Sequence, residues 1–112
     1  MKNRSLDLNG LAEFYNEYQV INFDDPNEIS SKKIVLKDQM DELANFVLPC
    51  LAKLAENNAE MPVGMLLVSL IDKNLVTEER FIEVQLNLKR MKELDKLLGF
   101  DKKLSGILNA LV

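Results

Sequence analysis

Any chemistry in this chain has to be built without histidine, because none is present. That removes the side chain whose proton moves most readily near neutral pH and the commonest transition-metal ligand. Ser–His–Asp and Cys–His nucleophilic sites cannot be assembled from such a chain, nor can cysteine–histidine zinc sites or the Glu-x-x-His pattern of carboxylate di-iron bundles. The single thiol, Cys50, follows Leu48-Pro49 beside an apolar stripe. With no basic cluster near it to lower its pKa, its expected role is that of a small buried hydrophobe. Gly10, Gly64, Gly99 and Gly106 are too dispersed for a phosphate-binding loop. Asp24-Asp25-Pro26-Asn27-Glu28 gathers oxygen ligands but lacks the alternating spacing and the glycine of an EF-hand loop, so it reads as a capping turn. No catalytic residue, metal or cofactor is assigned, and the expectation is a protein that is not an enzyme.

Three surfaces remain as candidates for binding. Lys89, Arg90, Lys92, Lys96, Lys102 and Lys103 make the end of the chain locally basic, with Glu93, Asp95 and Asp101 interspersed. Such runs are usually solvated faces, and cations near a helix C-terminus already complement its dipole. Phe14, Tyr15, Tyr18 and Phe23 lie among Glu13, Glu17, Asp24, Asp25 and Glu28, either as part of the protein's own core or as an acidic, aromatic docking surface for a basic partner. In the segment 78–98 the apolar residues divide into two stripes: Phe81, Val84, Leu88, Met91 and Leu98 on one side, Ile82, Leu86 and Leu97 on another. One stripe suffices for a core, so the second implies either a central helix or burial against another chain.

The elements that must position these groups are helical. The first helix is predicted from about Gly10 to Gln19, with Asn9 as N-cap and Leu11, Phe14, Tyr15 and Tyr18 on one face. Residues 1–8 are expected to be flexible, and 20–29 to form an extended linker through the turn at Asp24-Asp25-Pro26-Asn27. A second helix starts near Ser30 or Ser31 and continues to Asn57 with a kink at Pro49, which lies opposite the stripe of Leu36, Met40, Leu43, Val47, Leu51 and Leu54.

The third helix opens at Met61-Pro62 and ends at Lys73-Asn74. It is almost wholly apolar, as a central buried helix would be. Thr77 is the expected N-cap of the fourth, with Glu78 and Glu79 at its positive dipole end and Val76 stapled to Phe81. It should stop at Gly99, with Phe100 folding back. A fifth, capped by Asp101, carries Leu104, Ile107, Leu108 and Leu111 and closes the core. The architecture expected is therefore all-α: a single domain, 1–112, of about five helices, with the third and fourth central.

Within it, Leu70-Ile71-Asp72-Lys73-Asn74-Leu75-Val76-Thr77-Glu78-Glu79-Arg80-Phe81 is similar to the helix hairpin of short C-terminal domains, a family that tends to have glycine where Asn74 stands. The same hairpin, spanning 62–98, invites a helix-turn-helix reading. Its second helix, however, opens with Glu78, Glu79 and Glu83 against a single Arg80, which repels phosphates.

Composition agrees with a folded domain: 47% of residues are hydrophobic and 29% charged, too apolar for a disordered tail. The net charge of −4 opposes general nucleic-acid binding. Apolar runs such as Met65-Leu66-Leu67-Val68 fall far short of the roughly 20 residues that span a bilayer. The basic start is followed by an acidic amphipathic stretch where a secretory signal carries its apolar block, and one cysteine makes no disulfide framework, so the expected address is cytoplasmic. A chain rich in Asn, Lys and Leu without Trp or His suits a bacterial or phage source. The expectation from elimination is a protein-binding module, a small regulator, adaptor, chaperone or inhibitor, whose partner is another protein or a second copy. The alternatives are a DNA-binding regulator, using the 62–98 hairpin or the basic C-terminal face, and an accessory subunit of an enzyme complex.

Overall fold

Asp7 opens the first helix, its carboxylate accepting from the Gly10 N–H at 3.0 Å while the backbone there is still extended. The computed structural model describes the backbone of residues 3–98 and 102–112 and the side chains of 3–94 and 102–112. Helix α1 runs Leu8–Glu17, two residues earlier than expected, because Asp7 rather than Asn9 is the cap. Gly10 is obligatory in this start: a Cβ there would lie 1.8 Å from the Ser5 carbonyl oxygen, so the preceding strand of chain crosses directly over the helix.

That crossing segment is anchored. The Arg4 side chain is only 3% exposed and pairs with Glu42 at 2.8 Å, with Glu13 at 3.5 Å and with Glu17, above the Phe46 ring. Burial alone would lower the Arg4 pKa, but hydrogen bonds to Glu42 and Glu17 and their charges raise it. Within the stretch 1–8, for which flexibility was expected, Arg4 thus makes side-chain contacts with α1 and with Glu42.

After α1, residues 18–25 are irregular, and the chain turns helical again at Pro26 rather than near Ser30. Asp25 caps that turn by accepting from Asn27 N–H at 3.0 Å, and Pro26, lacking a donor, suits the first helical position. Helix α2 spans Pro26–Ser31; after a break in ladder geometry at Lys32, α3 spans Lys33–Glu42. A π-helical turn follows at Leu43–Val47 and leads without interruption into α4, Leu48–Asn57. In that turn Leu48 N–H donates back to the Leu43 carbonyl, one residue further than in an α-helix. Pro49 then stands near the start of α4 and faces solvent, and the kink there is minor.

Helix α5, Val63–Asp72, ends at Asn74, whose φ of 57° is the left-handed cap expected of it, with Leu75 and Val76 N–H groups both donating to the Leu70 carbonyl. The helix buries Leu66, Leu67 and Leu70 but leaves Met65 and Val68 exposed, so its burial is one-sided where an all-round buried helix was expected. Thr77 caps α6, Glu78–Leu98, by accepting from Arg80 N–H at 3.2 Å. Helix α7, Lys102–Leu111, buries the four residues foreseen, Leu104, Ile107, Leu108 and Leu111. The expected Gly99 stop, Phe100 fold-back and Asp101 cap lie outside the described residues.

The result is an all-α bundle with no strand among the described residues. Helix α6 packs on α1 and α7, and α7 also touches the π-turn and α5. The radius of gyration is 13.8 Å, close to the roughly 13 Å that a single compact domain of this length should have. One continuous core runs through every helix longer than two turns except α3, from Leu11 and Phe14 through Leu43, Val47 and Leu70 to Val84, Leu88, Met91 and Ile107. Each fully buried side chain of that size contributes roughly 1.5–3 kcal/mol.

Candidate functional site

The four clustered aromatics do not form a docking surface. Phe14, Tyr15, Tyr18 and Phe23 are all buried. Phe14 meets Tyr15 and Tyr18 edge-on at 5.7 and 5.8 Å, and Tyr15 stacks on Phe81 at 5.4 Å. Their hydroxyls are satisfied internally: Tyr15 donates to Gln85 Oε1 at 2.7 Å and Tyr18 to Asn87 Oδ1 at 2.8 Å. Burial pushes both phenols well above their ordinary pKa. The physical reason is the polar inventory of α6, which offers Gln85 and Asn87 on the α1 side, so that two tyrosines can be buried without orphaning a hydroxyl. Arg80, also on α6, completes the junction: its Nε donates to the Tyr15 carbonyl at 2.9 Å, and a second guanidinium nitrogen donates to the Tyr18 carbonyl. Sequence reasoning gave Arg80 no such role. It caps the C-terminal carbonyls of α1, where a cation is favoured by the helix dipole.

The acidic turn is consumed by structure in the same way. Asp25 caps α2, Glu28 accepts from Asn22 N–H and pairs with Lys32 at 3.1 Å, and Asp24 pairs with Arg90. Each carboxylate of the turn therefore has a protein partner. Cys50 is buried, and its thiol donates to the Asp7 carbonyl at 3.5 Å. Burial, then the nearby Asp7 charge, raises its pKa to about 11 against a weaker opposing effect of Lys53, which keeps it a protonated, inert thiol near neutral pH.

Exposed large apolar side chains include Ile34 on α3, Met65 and Val68 on α5, and two on the outer face of α6. Val84, Leu88 and Met91 enter the core, whereas Ile82 is 47% and Leu86 61% exposed. The second apolar stripe is therefore not core at these two positions; Leu97, its third member, has no described side chain. Ile82 and Leu86 line a groove of about 950 Å³ between α6 and α7, shared with Phe81, Gln85, Lys89 and Val112. Gln85 Nε2 donates to the Leu111 carbonyl at 3.1 Å, tying the end of α7 against α6.

The basic patch is divided by this geometry. Lys89 and Lys92 line the groove, Lys102 and Lys103 are exposed at the start of α7, and Lys96 has no described side chain. Arg90 instead reaches Asp24 and Glu93 and so is neutralised within the chain. Glu79 is exposed one turn before Ile82, at the opposite end of the stripe from Lys89. Neither Glu79 nor Lys89 has an ion-pair partner among the described residues. A second, more open concavity of about 530 Å³ at the α4–α5 turn is lined by Ala59, Met61, Pro62 and Met65 with Asn58 and Glu60. No described helix is long and apolar enough to cross a membrane.

No family model matches this chain, and no curated protein or solved structure matches it.

Proposed function

We propose that this protein is a non-catalytic protein-binding module of the cell interior, acting through the outer face of α6 and the groove that α6 forms with α7. The observation that carries the reading is the exposure of Ile82 and Leu86 side by side, one helical turn apart, at the mouth of that groove. Adjacent large apolar side chains on a monomer's surface are favoured sites of association, and a concavity flanking them supplies the shape complement. The interaction is rimmed by Lys89 and Lys92, which sharpen selectivity more than they add affinity. A regulator, adaptor or inhibitor role is compatible with such a surface. A catalytic role has no support in the chemistry of the groove, whose lining offers amides, a hydroxyl, amines and one carboxylate already paired with Arg90.

The test compares the wild-type chain with Leu86→Glu. Self-association of the purified protein, or a stoichiometric complex rebuilt from two purified proteins, should be present in the wild type and lost in the variant. Absence of both, or a salt-sensitive complex with duplex DNA that survives Leu86→Glu, overturns the proposal.

A further inference from the structure

We infer that the exposed face of α6 binds a second copy of itself, antiparallel, about a twofold axis that passes between Ile82 and Leu86. This rests on the protein-binding reading above and names the partner.

The argument is one of self-complementarity. Along the outer face of α6, Glu79, Ile82, Leu86 and Lys89 succeed one another at steps of three, four and three residues, and all four are exposed. Three- and four-residue steps keep side chains on one face of a helix, and their alternation is the seam of a coiled coil. The spacing also reads the same in both directions, while the end charges are opposite. Reversing the helix therefore lays Ile82 on Leu86 of the second copy and Leu86 on its Ile82. The same reversal sets Glu79 against the second copy's Lys89, and Lys89 against its Glu79. In a twofold contact each such pair occurs twice, so four apolar side chains are closed at both ends by opposite charges.

Parallel pairing would instead set Glu79 on Glu79 and Lys89 on Lys89, which repels. The flanking residues lean the same way: the first turns of α6 carry Glu78, Glu79 and Glu83 against Arg80, and its later turns carry Lys89 and Lys92 against Glu93, with Arg90 already paired to Asp24 and Glu93. The stripe from 79 to 89 is about 15 Å long, three helical turns. The groove beside it, walled by Ser105, Asn109 and Val112 of α7, gives the incoming helix a place to lie. The α4–α5 concavity offers no such match: its single charged lining residue, Glu60, has no opposite charge at a mirrored step. Contacts of this size belong to the small, concentration-dependent class below about 1,200 Å² of buried surface.

Sedimentation velocity of the intact chain over a concentration series at low and at physiological salt tests the pairing. The wild type should dimerise reversibly, and more weakly at the higher salt. Glu79→Lys and Lys89→Glu each reverse one partner in both symmetry-related pairs, so each alone should weaken dimerisation by about tenfold or more. Mixing the two variants in equal amounts should restore the dimer, because every charge then faces its opposite, and the double variant should self-associate like the wild type. That rescue separates a pairing effect from a folding defect, since an unfolded variant could not rescue its counterpart.

A wild type that stays monomeric at every concentration, or a dimer indifferent to both single reversals, overturns the inference. Should the monomer form a complex with a different purified protein through Leu86, the protein-binding reading stands and the self-pairing falls. Indistinguishable behaviour of wild type and Leu86→Glu in every association assay sinks both.

Discussion

Asn87, on α6, grips Ile21 by both of its backbone groups: Asn87 Nδ2 donates to the Ile21 carbonyl at 2.7 Å, and the Ile21 N–H donates to Asn87 Oδ1 at 3.3 Å. The same Oδ1 also accepts from the Tyr18 hydroxyl at 2.8 Å. One buried carboxamide thus stands in for the helix or sheet ladder that residues 18–23 lack, satisfying backbone groups that would otherwise be orphaned. Replacing it with the near-isosteric Leu leaves three buried polar groups without partners. The expected cost is about 2–4 kcal/mol in urea unfolding. Unchanged stability would mean that the 18–23 segment is held by Ile21 and Phe23 packing alone.

Leu86 and Leu88 lie two residues apart on one helix and face opposite worlds, the first 61% exposed and the second fully buried. Leu86→Glu should change folding stability by no more than about 0.5 kcal/mol, whereas Leu88→Glu buries an unpaired carboxylate and should cost several kcal/mol or prevent folding. Thermal melts of the pair decide it. A severe loss for Leu86→Glu would place that side chain in the core after all.

Pro49→Ala restores a backbone donor at a solvent-facing position without opening a cavity, so stability should stay within about 1 kcal/mol of wild type or rise. A loss above about 2 kcal/mol would show that the proline itself holds the π-turn in place.

Alkali should unfold this protein by a defined route. Burial raises the Cys50 thiol to about 11 and lifts the Tyr15 and Tyr18 phenols above their ordinary 10.0, whereas in the unfolded chain all three ionise at ordinary values. The thiol's contribution is fully present below its unfolded pKa, near 9, and drains away as the pH rises through about 11; that of the phenols is fully present below 10.0 and goes on draining at higher pH than the thiol's. Stability measured by denaturant titration should therefore decline from about pH 9 upward, and Cys50→Ala should flatten the first part of that decline. In the native state at pH 8 the thiol should resist alkylation that goes to completion in urea. Prompt native alkylation would contradict the burial.

Much of the helical order could be read from local chemistry. Thr77 before Glu78-Glu79, Asn74 at the end of α5 and the Leu104, Ile107, Leu108 and Leu111 face each carry their signal within one or two turns, and each stands where that signal put it. The parts that local chemistry left open depended on residues distant in sequence. Whether Phe14, Tyr15, Tyr18 and Phe23 face inward or outward turns on Gln85 and Asn87, about 70 residues away, offering acceptors to the two hydroxyls. The tethering of the N-terminus depends on Glu42 meeting Arg4, and the role of Arg80 on carbonyls of α1. The double stripe of α6 was legible, but only its partner α7 could decide that Ile82 and Leu86 stay outside.

The π-turn at Leu43–Val47 carries one residue more than an α-helical path between the same ends would need. That surplus works as a phase adjuster. It turns α4 relative to α3 by roughly one residue's worth of rotation, about 100°. Phe46 lies in the core with Leu43, Val47, Cys50, Leu51 and Leu54. A change of length in this stretch therefore acts differently from one in a loop. Deleting a single residue between 43 and 47 could let the ladder close as continuous α-helix, yet it would swing every side chain of α4 away from the neighbours it now meets. The rod would be more regular, and the wrong face of it would point inward.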